Sequence, residues 1–108
     1  MSTVSTHVLD TALGRPAQGI RVTLARGGTA IGSSTTDADG RAKDLQGKTS
    51  LGAGSYQLTF SVGPYFATTK RDAFYETIVI EFRIGSGDQH YHVPLLLSPF
   101  GYSTYRGS

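Results

Sequence analysis

Cysteine is absent from the 108 residues. That excludes a disulfide framework, a thiolate nucleophile and any cysteine-ligated metal. Long apolar runs are missing too. Val93 to Leu97 is short and carries Pro94, against the roughly 20 residues that a helix needs to cross a bilayer, so no membrane partner is expected. Met1 to His7 is polar and runs straight into the first alternating pattern, which leaves no room for the segments of a secretory leader. A cytoplasmic location is the expectation. No excess of one charge exists: ten Lys plus Arg against eight Asp plus Glu give a net +2. The arginines at 15, 21, 26, 41, 71, 83 and 106 are scattered, so no basic stripe can follow a phosphate backbone, and nucleic acid is not an expected partner. Gly27-Gly28 and Gly52-Ala53-Gly54 lack the lysine and spacing of a phosphate loop. No Gly-x-Ser-x-Gly elbow presents Ser103 or Ser108 as a nucleophile.

What is present is turn chemistry at short intervals. Fourteen glycines, six tyrosines and many threonines and valines describe an all-β chain. The length predicts one domain over 1–108, with little surplus stability and oligomerisation as a natural supplement. Alternation predicts strands over Thr6 to Asp10, Ile20 to Leu24, Thr29 to Thr36, Tyr56 to Val62 and Thr77 to Ile84. Further strands are expected over Gln89 to Ser98 and Tyr102 to Ser108. Pro64 is placed to start a short helix over Tyr65 to Lys70. Gly14 to Gly19, Asp37 to Gly40 and Pro99 to Gly101 read as turns, and Gly85 to Asp88 as a hairpin loop.

Chemistry is concentrated late in the chain. Side chains at i and i+2 share one face of a strand, so His90 and His92 point one way while Tyr91, Val93, Leu95 and Leu97 point into a core. Three readings fit such a pair. They are solvated surface histidines, or metal ligands completed by His7, or groups able to take a proton from water. The metal reading is the weaker, because no Asp, Glu or Cys stands at a helpful spacing. Arg41 directly follows the Asp39-Gly40 turn and is by default a solvated cation. Tyr105-Arg106-Gly107-Ser108 crowds an aromatic, a cation, a glycine and a hydroxyl into four residues, which suggests a tail that is used rather than frayed.

Taken together, Thr6 to Ile20 (THVLDTALGRPAQGI), Thr36 to Arg41 (TDADGR) and His90 to Ser108 (HYHVPLLLSPFGYSTYRGS) resemble the transthyretin-related 5-hydroxyisourate hydrolases, in the same order and along essentially the whole chain. Glu76 departs from the pattern, where relatives usually have proline. The resemblance implies a transthyretin-like sandwich of two four-stranded sheets with one short helix. It also implies a homotetramer built as a dimer of dimers, with active sites in a channel where dimers meet. Carried over by matching motif, the catalytic residues are His7, Arg41, His92 and Ser108. Tyr105, Arg106 and Gly107 join them in substrate binding, and His90 acts from behind. His7, Arg41, His92 and Arg106 are expected on one surface. The implied reaction opens the ring amide of a small purine-derived substrate, 5-hydroxyisourate, without metal or organic cofactor. Two rivals compete: a transthyretin-type carrier, whose channel would be apolar, and an immunoglobulin-like module, which would need neither His7 nor the tail.

Overall fold

Period-two alternation runs through most of the chain, and the computed structural model, which describes residues 1–108, resolves it into ten strands and one helix. In order these are β1 (Thr3–Asp10), β2 (Arg15–Pro16), β3 (Arg21–Arg26), β4 (Thr29–Thr35), β5 (Arg41–Ala42) and β6 (Gly54–Ser61). After α1 (Gly63–Thr68) come β7 (Thr77–Ile84), β8 (His90–His92), β9 (Leu95–Ser98) and β10 (Gly101–Thr104). One sheet has the order β4-β3-β6-β7 and is antiparallel throughout. Its inward residues include Val22, Leu24, Leu58 and Phe60, all fully buried, each stabilising the fold by about 1.5–3 kcal/mol relative to exposure.

The second sheet is organised around β1. This strand runs parallel to β8 and β9 and antiparallel to β5 and β2, and β10 closes the far side on β9. The sheet has six members rather than the expected four. β2 and β5 are two-residue segments, and the expected strand over Gln89 to Ser98 is split into β8 and β9. Proline causes the split, because Pro94 has no N–H for the ladder. The carbonyls around the break are not abandoned: the Thr6 hydroxyl donates to Val93 O at 2.6 Å and the Thr104 hydroxyl to Pro94 O at 2.6 Å.

Three further expectations are corrected. β1 begins at Thr3, not Thr6, because Thr3 to Ser5 find partners in His90 to His92, which local alternation cannot reveal. Gly85 to Asp88 is not a hairpin loop. It carries the chain from β7 in one sheet to β8 in the other, since β8 pairs with β1 and not with β7. The last strand ends at Thr104, and only Gly107 returns to the sheet, as an isolated bridge to His92. The helix, Gly63–Thr68, starts with Pro64 in its first turn as predicted and buries Tyr65 and Phe66.

A charged cluster joins this helix region to β1. The fully buried Asp10 accepts hydrogen bonds from Tyr65 Oη at 2.7 Å, from the Leu13 amide at 3.0 Å and from the Arg71 guanidinium. Burial works to raise the Asp10 carboxyl, but the bonds from Arg71, Tyr65 and Leu13 outweigh it and hold the group below its ordinary range. Burial first, and then its bond to Asp10, pushes the Tyr65 hydroxyl up to about 12. Asp10→Ala therefore leaves the Tyr65 hydroxyl without its buried acceptor and the part-exposed Arg71 without its partner and should cost about 1–3 kcal/mol, read as a lowered urea midpoint at unchanged slope. In the wild type the contribution of Asp10 is complete above about pH 4 and is lost as pH falls through its lowered pKa.

Candidate active site

The pairing of β1 on both its edges assembles the site. On one edge His7 lies opposite Arg41 of β5; on the other, Ser5 lies opposite His92 and Thr3 opposite His90. Thr3, Ser5 and His7 share a strand face by the period of two, while Val4, Thr6, Val8 and Asp10 are buried on the other. Three distant stretches of chain thus present polar side chains to one side of the sheet.

Arg41 is placed by its turn. The Asp37 carboxylate accepts from the amides of Asp39 and Arg41, each at 2.9 Å. The Arg41 amide is the main reason that carboxyl is held low. Gly40 has φ +74°, and a Cβ there would collide with the Val8 carbonyl oxygen. Its own carbonyl accepts from Val8 N at 2.7 Å. Only glycine lets the turn seat on β1 this closely.

The tail is held down in the same way. Gly107 N donates to His92 O at 2.7 Å, and a Cβ on Gly107 would lie 2.5 Å from His92 Cδ2, so its backbone rests against the imidazole edge. Ser108 is thereby delivered to an open cleft of about 340 Å³ whose lining includes Ser5, Arg41, Lys43, His90, His92 and Ser108, with no apolar residue. His92 is half-buried there, and its pKa is lowered, first by desolvation and then by the charges of Arg41, His90 and His7. The imidazole is accordingly neutral at neutral pH and able to take a proton. The histidines do not converge as a metal-binding group.

Within the subunit Arg106 and Tyr105 do not reach this cleft, which corrects the expectation that both guanidinium groups share one surface, and His7, though paired with Arg41, stands beside the cleft rather than in its lining. The Arg106 guanidinium stacks on Tyr91 at 4.7 Å and donates to Gln89 Oε1 at 3.0 Å. Beyond β10 the tail is no longer a strand, and the exposed Arg106 side chain lies over the Tyr91 ring instead of the histidine face. There, with Tyr105, it borders a second cleft that includes Ile80, Phe82 and Val93. Arg106 is an anchor for the tail. Five cleft residues went unrecognised in the sequence: Thr3, Ser5, Thr6, Lys43 and Asp44. The face-sharing rule, applied backwards from His7, would have found Ser5 and Thr3, and applied forward from Arg41 it would have found Lys43.

Comparison with known proteins agrees with this fold. Residues 4–107 match the model of the HIUase/Transthyretin family. A 5-hydroxyisourate hydrolase of Salmonella typhimurium is 45% identical over 97% of this chain and 80% of its own length. The solved 5-hydroxyisourate hydrolase of Klebsiella pneumoniae superposes with a TM-score of 0.91 at 42% identity, covering all of both chains. Sea bream transthyretin in complex with thyroxine superposes at 0.88 with 30% identity, covering 96% of this chain and 93% of that one. Because the Gly107 backbone shields the His92 ring, Gly107→Ala should lift the tail and let the His92 pKa rise toward the ordinary imidazole value, as followed by NMR titration of the ring protons. An unchanged titration would show that the tail does not shape this site.

Proposed function

The chain belongs to the HIUase/Transthyretin family, and from that membership we propose that it is a hydrolase acting in purine and urate breakdown. It opens the ring amide bond of 5-hydroxyisourate to give 2-oxo-4-hydroxy-4-carboxy-5-ureidoimidazoline. One observation carries the reading: a cleft lined by no apolar residue, in which the His92 imidazole with its lowered pKa, the Arg41 guanidinium and Ser108 of the terminal segment meet. Hydrolysis of a cyclic amide needs a base for water and a cation for the oxyanion that forms at the carbonyl. One of His7 and His92 removes the proton from water while the other orients it. Arg41 binds the planar, carbonyl-rich substrate and stabilises the tetrahedral oxyanion, and Ser108 positions substrate or water. Gly107 and Arg106 serve by holding Ser108 in place, so the tail acts as a strap more than as a second cation. The reading calls for no cofactor. The cleft opens on one side, which suits a dimer of dimers in which another subunit closes it.

A carrier is the competing use of this fold, as the thyroxine complex of sea bream transthyretin illustrates. Carriage of a hydrophobic ligand needs a pocket lined mainly by apolar side chains, and no hydrophobic residue lines the cleft here. The direct test supplies the protein with fresh 5-hydroxyisourate, made from urate by urate oxidase, and follows the ultraviolet decay. Acceleration over the spontaneous rate is expected; an unaltered decay would refute the proposal.

His7→Ala and His92→Ala should each lower turnover by about 10²- to 10⁴-fold with the fold retained. Wild-type turnover by both variants would remove the imidazoles from the mechanism. Since the pKa of His92 is lowered, its neutral form persists on the acid side of the ordinary value of about 6.5, so kcat/KM should stay flat through neutrality and decline only below that value. Deleting residues 105–108 should abolish hydrolysis while the thermal transition stays cooperative, measured by circular dichroism.

A further inference from the structure

Ser5 is nearly buried beneath the two imidazoles and touches both. Its Oγ lies 2.8 Å from His92 Nδ1 and 3.1 Å from His90 Nε2. The remaining nitrogen of the second ring, His90 Nδ1, lies 2.6 Å from Thr3 Oγ1. The rings are nearly parallel, 16° apart with centroids at 6.3 Å. This follows from the parallel register that sets Thr3 beside His90 and Ser5 beside His92. A single chain of hydrogen bonds runs from Thr3 through His90 and Ser5 to His92. The far nitrogen, His92 Nε2, has no protein partner, yet no buried polar side-chain atom of the molecule lacks one. Nε2 is therefore the nitrogen open to the cleft.

Proton counting limits how this chain can be arranged. A neutral imidazole carries one N–H and one bare nitrogen, and a hydroxyl carries one proton. If both nitrogens facing Ser5 were protonated, the buried hydroxyl proton would be left without an acceptor; if both were bare, one would be left without a donor. Each mismatch forfeits a hydrogen bond, and the first also strands the nearly buried Ser5 hydroxyl. The satisfied arrangement has one facing nitrogen protonated and the other bare. Since the facing atoms are Nδ1 of His92 and Nε2 of His90, the two rings then carry their protons on the same type of nitrogen.

We propose that Ser5 is a positioning residue that locks His90 and His92 into the same tautomer, and thereby decides whether His92 meets substrate as a proton acceptor or a proton donor. With both rings protonated at Nδ1, His92 Nε2 is bare and takes the proton of the attacking water. With both protonated at Nε2, His92 donates toward the substrate, and the base is His7. This inference assigns a part to His90 and rests on the hydrolase reading for its catalytic meaning, though not for the coupling itself.

The test is the tautomer of each histidine in the ¹⁵N-labelled full chain, read from long-range ¹H–¹⁵N correlations about two units above the ordinary imidazole pKa of roughly 6.5. The expected wild-type result is one tautomer common to both rings; opposite tautomers overturn the proposal. In Ser5→Ala the coupling is removed, so the tautomer ratio of at least one ring should change. There kcat should fall about 10- to 100-fold, as for loss of an orienting partner to a working imidazole, with KM within about threefold. Unchanged ratios in both rings overturn the proposal even if kcat falls. If the variant does not fold, the wild-type spectrum decides alone. None of these spectra requires substrate, so failure to hydrolyse 5-hydroxyisourate would strike the functional reading and leave the coupling to be judged separately.

Discussion

A strand has two edges, and β1 uses both. One takes the parallel partners β8 and β9, the other the short antiparallel partners β5 and β2. Backbone hydrogen bonding cannot be left unmade in a buried ladder, so this double pairing is held by the fold as a whole and is costly to shift. A one-residue slip would send every side chain of β1 to the opposite face. It would carry His7 and Ser5 into the core and Val4 and Val8 into the cleft. The hydrophobic register of β1 and the geometry of the site are thus one constraint seen from two sides.

The same strand also anchors the layer behind it. Asp10, at the end of β1, is buried and carries the only ion pair of the molecule that reaches into the core, to Arg71 just beyond the helix. Tyr65 and the Leu13 amide complete the satisfaction of the carboxylate. A buried charge that is fully hydrogen-bonded specifies position more than it adds stability. Here it pins the helix region against the far end of the strand that presents His7.

Backbone breaks are used where side chains must approach closely. Pro94 interrupts the ladder between β8 and β9, and threonine hydroxyls from β1 and β10 accept the task of satisfying the freed carbonyls. Glycine appears at two places around the site where chain must lie directly on chain. Gly40 seats the Arg41 turn on Val8, and Gly107 seats the tail on His92. The resulting cleft is lined by polar and charged residues, while Tyr91, Val93, Leu95 and Leu97 turn into the core.

Much of this was legible in the residues. Alternation identified the buried faces of β3, β6 and β7 and separated the histidine face from Tyr91, Val93, Leu95 and Leu97, because side-chain direction in a strand is a local property with a period of two. Pro64 and the Asp37 to Gly40 turn were legible for the same reason: proline and glycine restrict their own backbone. The resemblance of the motifs pointed to His7, Arg41, His92 and Ser108 as a set. What only the tertiary structure decided was partnership. That β8 pairs with β1 instead of closing a hairpin with β7, that Arg106 turns to Tyr91 and away from the cleft, and that Ser5 stands between two imidazoles all depend on which strand lies beside which. Strand register is chosen by the packing of the whole core, over separations of more than 80 residues, and no local period records it.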